Sequence, residues 1–233
     1  MVIDQRIMGA LSTIADKHPT YGFRKMFYCL RLQAIRRPEY DWNHKRVYRL
    51  YCLMGLNLRR KRKVMLPKRS PHPLAVPEQA DEVWSMDFMS DSLYNGRRFR
   101  AFTLIDHHNR EALWIKTAYS ISSKEVVDIL DWLVGERKIP KAIRLDNGPE
   151  FRSARLTEWA KQKGIELDYI EPGKPTQNAF IERFNRTYRT EVLDAYLFKS
   201  IKEVRDLTEQ WIVHYNERRP HESLGHKTPA MVA

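Results

Sequence analysis

The chain has 233 residues, of which 42% are hydrophobic and 30% are charged, and it contains six tryptophans and two cysteines. Such a composition can form a core, which excludes a wholly disordered protein, and two cysteines are too few for a disulfide scaffold or a four-thiolate zinc site. No apolar run approaches the roughly 18 residues of a membrane span, and the N-terminus lacks the apolar region of a signal peptide, so we expect a soluble intracellular protein.

The positive charge is confined to the first third of the chain. Residues 1–80 carry 17 Lys and Arg against 5 Asp and Glu, whereas residues 81–233 carry 24 of each kind. This asymmetry indicates a polyanion-binding region joined to an electrically balanced globular domain. A basic tail that only aids solubility would give the same composition.

Residues 1–58 have the apolar periodicity of helices. We predict helices over Val2–Lys17 and over 23–32, and a third that begins after the N-cap Asn43 and ends before Gly55. The buried face of the first helix is predicted from its aliphatic stripe: Ile3, Ile7, Leu11 and Ile14. Three short helices with basic outer faces fit a helix-turn-helix-like DNA-binding unit, although many small helical domains share this pattern.

Residues 59–81 form a separate segment, with seven basic residues, four prolines and no apolar period. This composition predicts an extended basic linker. We expect it to contact DNA phosphates, because its charge has the same sign as that of the helical region. A flexible spacer with solvated charges is the alternative. The predicted contacts are its five consecutive basic residues: Arg59, Arg60, Lys61, Arg62 and Lys63.

From residue 82 onward the pattern alternates between strands and helices, and we assign 82–233 to one globular domain with C-terminal helices. Strands are predicted at 83–90, 99–106, 112–119, 142–145 and 167–170, with an Asn-Gly hairpin between the first two, and helices at 122–138, 153–163, 178–197 and 201–218. This order predicts an α/β fold, a mixed sheet with helices on both faces. Three tryptophans on helical stripes are predicted to be in the core: Trp132, Trp159 and Trp211.

Three acids stand out in this domain. Asp87 is in the middle of the first strand, Asp146 follows the fourth strand, and Glu182 shares a polar helical stripe with Asn178, Asn185 and Arg189. Taken singly, they could be a solvent-facing strand residue, a turn residue and an exposed helix residue. The run Asp106-His107-His108 looks like a metal-binding set, but neighbouring strand residues point to opposite faces, so we predict strand-end structure.

The spacing of the acids and the sequences around them are specific. Asp146 and Glu182 are separated by 35 residues, within the motifs LDNGPEF at 145–151 and PGKPTQNAFIERFN at 172–185. With WSMD at 84–87, HPTYG at 18–22 and YNERRPH at 215–221, these motifs are similar to those of DDE recombinases. The chain most resembles the insertion-sequence transposases encoded by a second overlapping frame, whose catalytic core is like that of retroviral integrases.

This resemblance implies an RNase-H-like catalytic domain in which Asp87, Asp146 and Glu182 bind two Mg²⁺ ions, with Mn²⁺ as a substitute. It implies that Asp87 bridges the ions and that the other two acids each bind one. The implied reaction is cleavage at element ends by water, followed by attack of the freed 3′-hydroxyl on target DNA, without a covalent enzyme intermediate. Residues expected to hold DNA near the metals are Lys174, Gln177, Asn178, Arg186 and Arg189.

The resemblance also implies partners. We expect DNA at the element ends and the target, a homo-oligomer on DNA, no membrane partner, and a cytoplasmic, nucleoid-associated protein. The chain lacks leucine-zipper heptads, so an upstream-frame protein, or a fusion with it, is a further expected partner. Two alternatives stay open on the residues alone: a structure-specific nuclease of the same fold, and a non-catalytic DNA-binding regulator of transposition.

Overall fold

The computed structural model describes residues 2–58, 76–148, 150–171 and 175–232. These residues form two compact units, the first comprising 2–58 with 218–228, and the second comprising the remainder. Six of the predicted DNA contacts lie outside the described residues: Arg59, Arg60, Lys61, Arg62, Lys63 and Lys174.

The first unit contains three helices: α1 (Val2–Lys17), α2 (Phe23–Ala34) and α3 (His44–Leu53). The N-cap predicted for α3 is present, because the Asn43 side chain accepts a hydrogen bond from the backbone N–H of Lys45 at 2.9 Å. The stop after α3 is also confirmed. Gly55 adopts a left-handed conformation with φ of 67°, which glycine reaches without steric cost.

The core of this unit is formed by the apolar faces of its three helices. On α1, the predicted stripe is buried at Ile7, Leu11 and Ile14, but Ile3 is 47% exposed. The prediction for Ile3 is therefore wrong, since only the later turns of α1 contribute to the core shared with α2 and α3. Within the same unit, the segment 218–228 contacts α2 through a face-to-face stack of His226 on Tyr28.

The second unit contains five strands and four helices, in the predicted order. The strands are β1 (Val83–Ser92), β2 (Arg98–Asp106), β3 (Ala112–Ala118), β4 (Ala142–Leu145) and β5 (Glu166–Tyr169). The helices are α4 (Ser123–Glu136), α5 (Ala154–Lys163), α6 (Ala179–Tyr188) and α7 (Ile201–Glu217). Two of them begin at serine N-caps, and Ser122 before α4 forms a capping box with Glu125.

The strands form one mixed sheet in the order β3-β2-β1-β4-β5. The first three strands are antiparallel neighbours, whereas β4 runs parallel to both β1 and β5. Apolar side chains cover both faces: α4 and α5 pack on one face of the sheet, and α6 and α7 pack on the other. The predicted mixed sheet flanked by helices is confirmed.

Two details differ from the predictions. The helix predicted over 178–197 ends as an α-helix at Tyr188 and continues as a π-helical turn over Arg189–Leu193. The side chain of Arg189 bonds to β1 at this point, and the wider turn leaves Val192 and Leu193 both buried. Trp132 is 54% exposed and packs against Trp114 of β3, so only Trp159 and Trp211 are the core residues predicted.

The described part of the chain contains no helix long and apolar enough to cross a membrane.

Candidate active site

Asp87 lies in the middle of β1, on the strand at the centre of the sheet. Its carboxylate accepts hydrogen bonds at 2.7 Å from the backbone N–H of Phe88 and from the side-chain amide of Asn185 on α6. Burial raises the pKa of Asp87, the negative charges of Asp146 and Glu182 add to this effect, these two hydrogen bonds oppose it, and the net pKa is about 6. The three predicted acids are therefore close enough to interact electrostatically.

Asp146 follows the last residue of β4, at the carboxyl end of that strand. The final matched pair of the parallel ladder is Ser85 with Arg144, and Asp87 and Asp146 each lie two residues further along their strands. Adjacent strands lie about 4.8 Å apart, which explains why the two acids are neighbours.

The turn after Asp146 depends on glycine at position 148. Its backbone N–H donates to Oδ1 of Asp146 at 2.9 Å. A Cβ added at Gly148 would lie 2.9 Å from that same oxygen, closer than real Cβ atoms approach, and 3.0 Å from Oε2 of Glu150, which is also an unusually tight contact. Any side chain at this position would therefore displace one of the two carboxylates.

Glu182 lies in the first turn of α6 and is exposed. Ile181 and Phe184, on either side of it in the sequence, are buried in the core under the sheet. Their packing fixes the rotation of α6 about its axis, so that Glu182 lies outside the core while Asn185, three residues later, reaches Asp87. The polar stripe predicted for this helix is thus a boundary between core and active site.

Polar contacts next to the three acids join the elements that carry them, β1, β4 and α6; we refer to these contacts as the polar layer. Ser85 on β1 donates to Oδ1 of Asn178, the N-cap residue of α6, at 3.1 Å and also bonds to the ring of His107. Arg144 on β4 donates to the backbone carbonyl of Gln177 at 3.1 Å and to the carboxylate of Asp168 at 2.7 Å. Ser85 and Arg144 each precede a catalytic-motif aspartate by two residues, so both strands hold the start of α6.

His107 is a buried member of this layer, and its ring meets the ring of Phe180 edge-on, with the ring centroids 4.9 Å apart. Burial, together with the positive charges of Arg144 and Arg110, lowers the pKa of His107 to about 3, so that its ring is neutral at physiological pH. The guanidinium of Arg110 also stacks on Phe180, with its Cζ 3.5 Å from the ring centroid. Sequence analysis assigned His107 only a structural role at the strand end.

The residues that sequence reasoning missed are those that bond to the acids or hold their elements: Ser85, Arg144 and Thr103. Thr103 on β2 donates to Oδ1 of Asn185 at 2.9 Å, which orients the amide toward Asp87. Ser85 lies within one motif and Arg144 directly precedes another, whereas Thr103 is near none of them, and each contact joins segments far apart in the chain.

Four of the predicted DNA contacts are described, and they differ in their surroundings. Asn178 is 3% exposed, and its side chain bonds to Ser85. Gln177 bonds to Glu171 through both atoms of its amide, at 2.8 and 3.1 Å. Arg189 bonds to Asp91 and to the carbonyl of Ser90, whereas Arg186 is exposed on α6. DNA contact by these residues stays a prediction.

The acids fit a divalent cation in their chemistry. Three carboxylates supply oxygen donors of the kind that Mg²⁺ prefers, and a cation would offset both the burial and the neighbouring negative charges that raise the pKa of Asp87. Among the described residues, however, no group of three or more His, Cys, Asp or Glu side chains is arranged to hold a metal ion. The fit therefore rests on donor type and charge and does not extend to a formed coordination shell.

Comparison with family descriptions accounts for most of the chain. Residues 3–64 match the HTH-like domain family, and residues 77–175 and 163–229 match two families described as integrase core domain.

Similar proteins come from bacterial insertion elements. An uncharacterized 31.7 kDa protein of IS407 from Burkholderia multivorans is 42% identical over 96% of this chain and 79% of its own length. An uncharacterized 39.2 kDa protein of IS476 from Xanthomonas euvesicatoria is 40% identical over 98% of this chain, which spans 65% of that relative. The InsD transposase of IS2 from Escherichia coli is 28% identical over 97% of this chain and 77% of its own length.

Solved structures similar to this chain include retroviral integrases. The simian T-cell lymphotropic virus intasome, in complex with a PP2A regulatory subunit, matches with a TM-score of 0.58 and 13% identity, over 88% of this chain and 73% of that one. The HTLV-2 integrase catalytic core domain, in complex with magnesium, matches with a TM-score of 0.52 and 15% identity, over 66% and 97%. At these identities the likeness concerns the fold alone, and it confirms the RNase-H-like class.

Proposed function

Because the chain belongs to the insertion-sequence transposase family, with an integrase core domain and an HTH-like domain, we propose that it is a DDE transposase. The proposed activity is metal-dependent cleavage at the ends of an insertion element and transfer of the freed strand into target DNA. The observation that carries this proposal is the placement of the three acids: Asp87 is on β1 and bonds to Asn185 of α6, Asp146 follows the neighbouring strand β4, and Glu182 is three residues before Asn185. Burial and the charges of the other two acids raise the pKa of Asp87, which agrees with a site that acts with a cation.

Asp87, Asp146 and Glu182 would hold two Mg²⁺ ions, with Mn²⁺ as a substitute. Such ions, when bound, activate an oxygen nucleophile, neutralise charge at phosphorus and stabilise the leaving oxygen. The likeness to a retroviral integrase core in complex with magnesium supports this choice of cation. The same donor set, three carboxylates without thiol or imidazole, favours a hard cation over zinc.

The chain's own residues orient these acids. Asn185 and the backbone N–H of Phe88 fix both carboxylate oxygens of Asp87, and Thr103 fixes the amide of Asn185. Ser85 and Arg144 hold the segment that precedes α6 and thereby place Glu182. Exposed Arg186 is a candidate contact for a DNA phosphate beside this site.

Each chemical step exchanges one P–O bond for another. In the first step, water attacks the phosphorus at the element end, the bond to the 3′-oxygen breaks, and that oxygen takes up a proton to become a free hydroxyl. In the second step, the 3′-hydroxyl loses its proton and attacks a target phosphorus, and a target 3′-oxygen leaves. The first step consumes one water and converts a phosphodiester into a 5′-phosphate and a 3′-hydroxyl. The second step conserves the number of phosphodiester and hydroxyl groups, because the leaving 3′-oxygen takes up a proton, so no oxidant or nucleotide is required in either step.

The assembly that performs these steps contains more than one polypeptide. Two element ends must be joined to target DNA together, so we propose a homo-oligomer on DNA; the likeness to an intasome agrees with such an assembly. The chain spans only 65% of the IS476 protein. We therefore also propose that an upstream-frame protein, separate or fused, contributes to recognition of the element ends.

The test uses a labelled DNA duplex that carries an end of the encoding element, incubated with a target duplex and Mg²⁺. We expect a cleaved strand and, later, a longer joined strand, with neither product in EDTA. Cleavage without joining would indicate the nuclease alternative. DNA binding without either product, even after addition of the upstream-frame protein, would overturn the proposed activity and favour a regulator.

A further inference from the structure

Arg100 joins the strand of one catalytic-motif aspartate to the turn that follows the other. It lies on β2 directly opposite Ser90 of β1, and its side chain is 30% exposed. Its Nη1 is 2.6 Å from Oε1 of Glu150, and its guanidinium lies 4.3 Å from the ring centroid of Phe88. Phe88 follows Asp87, and Glu150 lies four residues after Asp146, so one side chain contacts the immediate surroundings of both acids.

The aromatic partners of Arg100 continue this connection. Phe88 stacks on Phe151 with ring centroids 5.1 Å apart, and Phe151 is only 1% exposed. The backbone carbonyl of Phe151 accepts a hydrogen bond of 2.8 Å from the hydroxyl of Tyr169 on β5. The turn is therefore bonded to the sheet at Phe151, its last residue, and the ion pair of Glu150 with Arg100 lies one residue before that bond.

The charge of Glu150 makes this ion pair necessary. One carboxylate oxygen of Glu150, Oε1, is bonded to Arg100. The other, Oε2 of Glu150, and the Oδ1 atom of Asp146 both lie against Gly148, within 3.0 Å of the position that a Cβ would occupy there. Two carboxylates at one turn repel each other, and each loses solvation because the turn is half-buried. The guanidinium of Arg100 compensates the charge of Glu150 and restrains its side chain.

We propose that Arg100 and Glu150 are positioning residues that latch the turn 146–151 to β1 and β2 and thereby fix Asp146 relative to Asp87. This inference rests on the proposed function, since it assigns the pair a role in the reaction of those two acids. Neither residue acts on DNA in this account. Misplacing a reacting group by about 1 Å can lower a rate by about a hundredfold, so a modest loosening of the turn has a large effect.

The first test measures the turn without any reaction, by amide hydrogen exchange on the full-length chain without DNA. In Arg100→Gln and in Glu150→Gln, we expect exchange across 146–152 to be faster by about tenfold, with α5 unchanged. The matched control is Arg98→Gln, which removes the same charge from an exposed position two residues earlier on β2. Unchanged exchange in both variants, or equal acceleration in Arg98→Gln, would overturn the latch.

The second test compares kcat and KM for strand cleavage. We expect Arg100→Gln and Glu150→Gln to lower kcat by about ten- to a hundredfold, to change KM for DNA by less than about twofold, and not to combine additively in the double variant. Arg98→Gln should leave kcat unchanged, and any effect of this variant should be on KM. A raised KM with unchanged kcat for Arg100→Gln would identify Arg100 as a DNA contact and would contradict the proposal.

The conservative variant Arg100→Lys keeps the proposal testable if Arg100→Gln does not fold. Lysine keeps the charge for Glu150 but loses the planar group that stacks on Phe88, so we expect exchange and kcat between those of the wild type and Arg100→Gln. If the wild-type chain is inactive even with the upstream-frame protein added, the proposed function fails while the exchange data still decide whether the latch exists. If the wild type is active and exchange in Arg100→Lys and Glu150→Gln equals that of the wild type, only the latch fails.

Discussion

Opposing effects meet at the carboxylate of Asp87. Burial and the charges of Asp146 and Glu182 disfavour its ionised form, while hydrogen bonds from Phe88 and Asn185 favour it, and the net result is a pKa of about 6. A carboxylate in this state has its orientation fixed by the protein but its charge uncompensated. A divalent cation would supply the missing compensation, which is why we assign the three acids to one site.

His107 provides a prediction that does not depend on activity. Its folded-state pKa is about 3, below the ordinary value of 6.5, so between these values the unfolded chain binds a proton that the folded chain does not. Its contribution to stability is therefore fully present above pH 6.5 and is lost as the pH falls toward 3. We expect the free energy of unfolding of the wild type to fall more steeply over this range than that of His107→Gln, measured by urea denaturation.

The control for this experiment is His108→Gln, at the next residue, whose ring bonds to the carbonyl of Pro77 at the surface of the same turn. This variant keeps His107 and should retain the steep wild-type dependence between pH 6.5 and 3. Equal pH dependence in the wild type and His107→Gln would show that His107 does not titrate as its burial requires.

At the level of elements, α6 is the part of the fold that determines where Glu182 lies. Its start is bonded to two different strands, through Ser85 on β1 and Arg144 on β4. Its end is bonded to β1 through Arg189 and Asp91 at 3.2 Å. A helix held at both ends against the strand of Asp87 can place a glutamate reproducibly, even though that glutamate is exposed.

Arg144 tests this description of α6. In Arg144→Gln, the bonds to the Gln177 carbonyl and to Asp168 are lost or weakened, and we expect faster amide exchange in the first turn of α6 and a loss of about 1–3 kcal/mol of stability. The matched control is Arg155→Gln, an exposed arginine on α5, which should change neither quantity. Protection of α6 equal to that of the wild type would mean that β4 does not hold the helix.

Local signals in the sequence were sufficient to predict most of the elements. Apolar periodicity located the helices and strands, and caps such as Asn43 marked where helices begin. The sequence could not reveal the pairing of Ser85 with Arg144 or the bond from Asn185 to Asp87, because both depend on contacts between segments more than 50 residues apart. Trp132 was misassigned because periodicity identifies an apolar stripe without showing which residue at its edge is covered.

The candidate site was predictable to a similar degree. The spacing of the acids and the motifs around them identified Asp87, Asp146 and Glu182, and the pKa of Asp87 supports their proximity. The residues that orient them, such as Thr103, carry no motif, since any hydrogen-bonding side chain at the right place could serve. Asn178 was expected to hold DNA from its place in the motif around Glu182; it is buried and bonds to Ser85, and its contact with DNA stays a prediction.

On the scale of the whole molecule, the net charge of +12 comes from residues 1–80 alone. We expect the variant in which five basic residues of the segment 59–63 are changed to Gln to bind DNA more weakly, because fewer counterions are released on binding. A plot of log affinity against log salt should become shallower by up to about 4 units of slope. Fluorescence anisotropy with a non-specific duplex measures this dependence.

The matched control removes five exposed lysines from the second unit by the same substitution: Lys124, Lys138, Lys161, Lys199 and Lys202. Its salt slope should stay close to that of the wild type. If the two variants change the slope equally, non-specific DNA affinity follows total charge, and the first third of the chain has no special role.

The central claim is that Asp87, Asp146 and Glu182 act as one catalytic site, and the most direct measurement of it is strand joining by single and double acid variants. We expect Asp87→Asn, Asp146→Asn and Glu182→Gln each to lower the joining rate by about a thousandfold or more, and a double variant to lose no more than a single one. DNA affinity and the exposed control Glu209→Gln should match the wild type. Wild-type joining by Glu182→Gln would contradict the account.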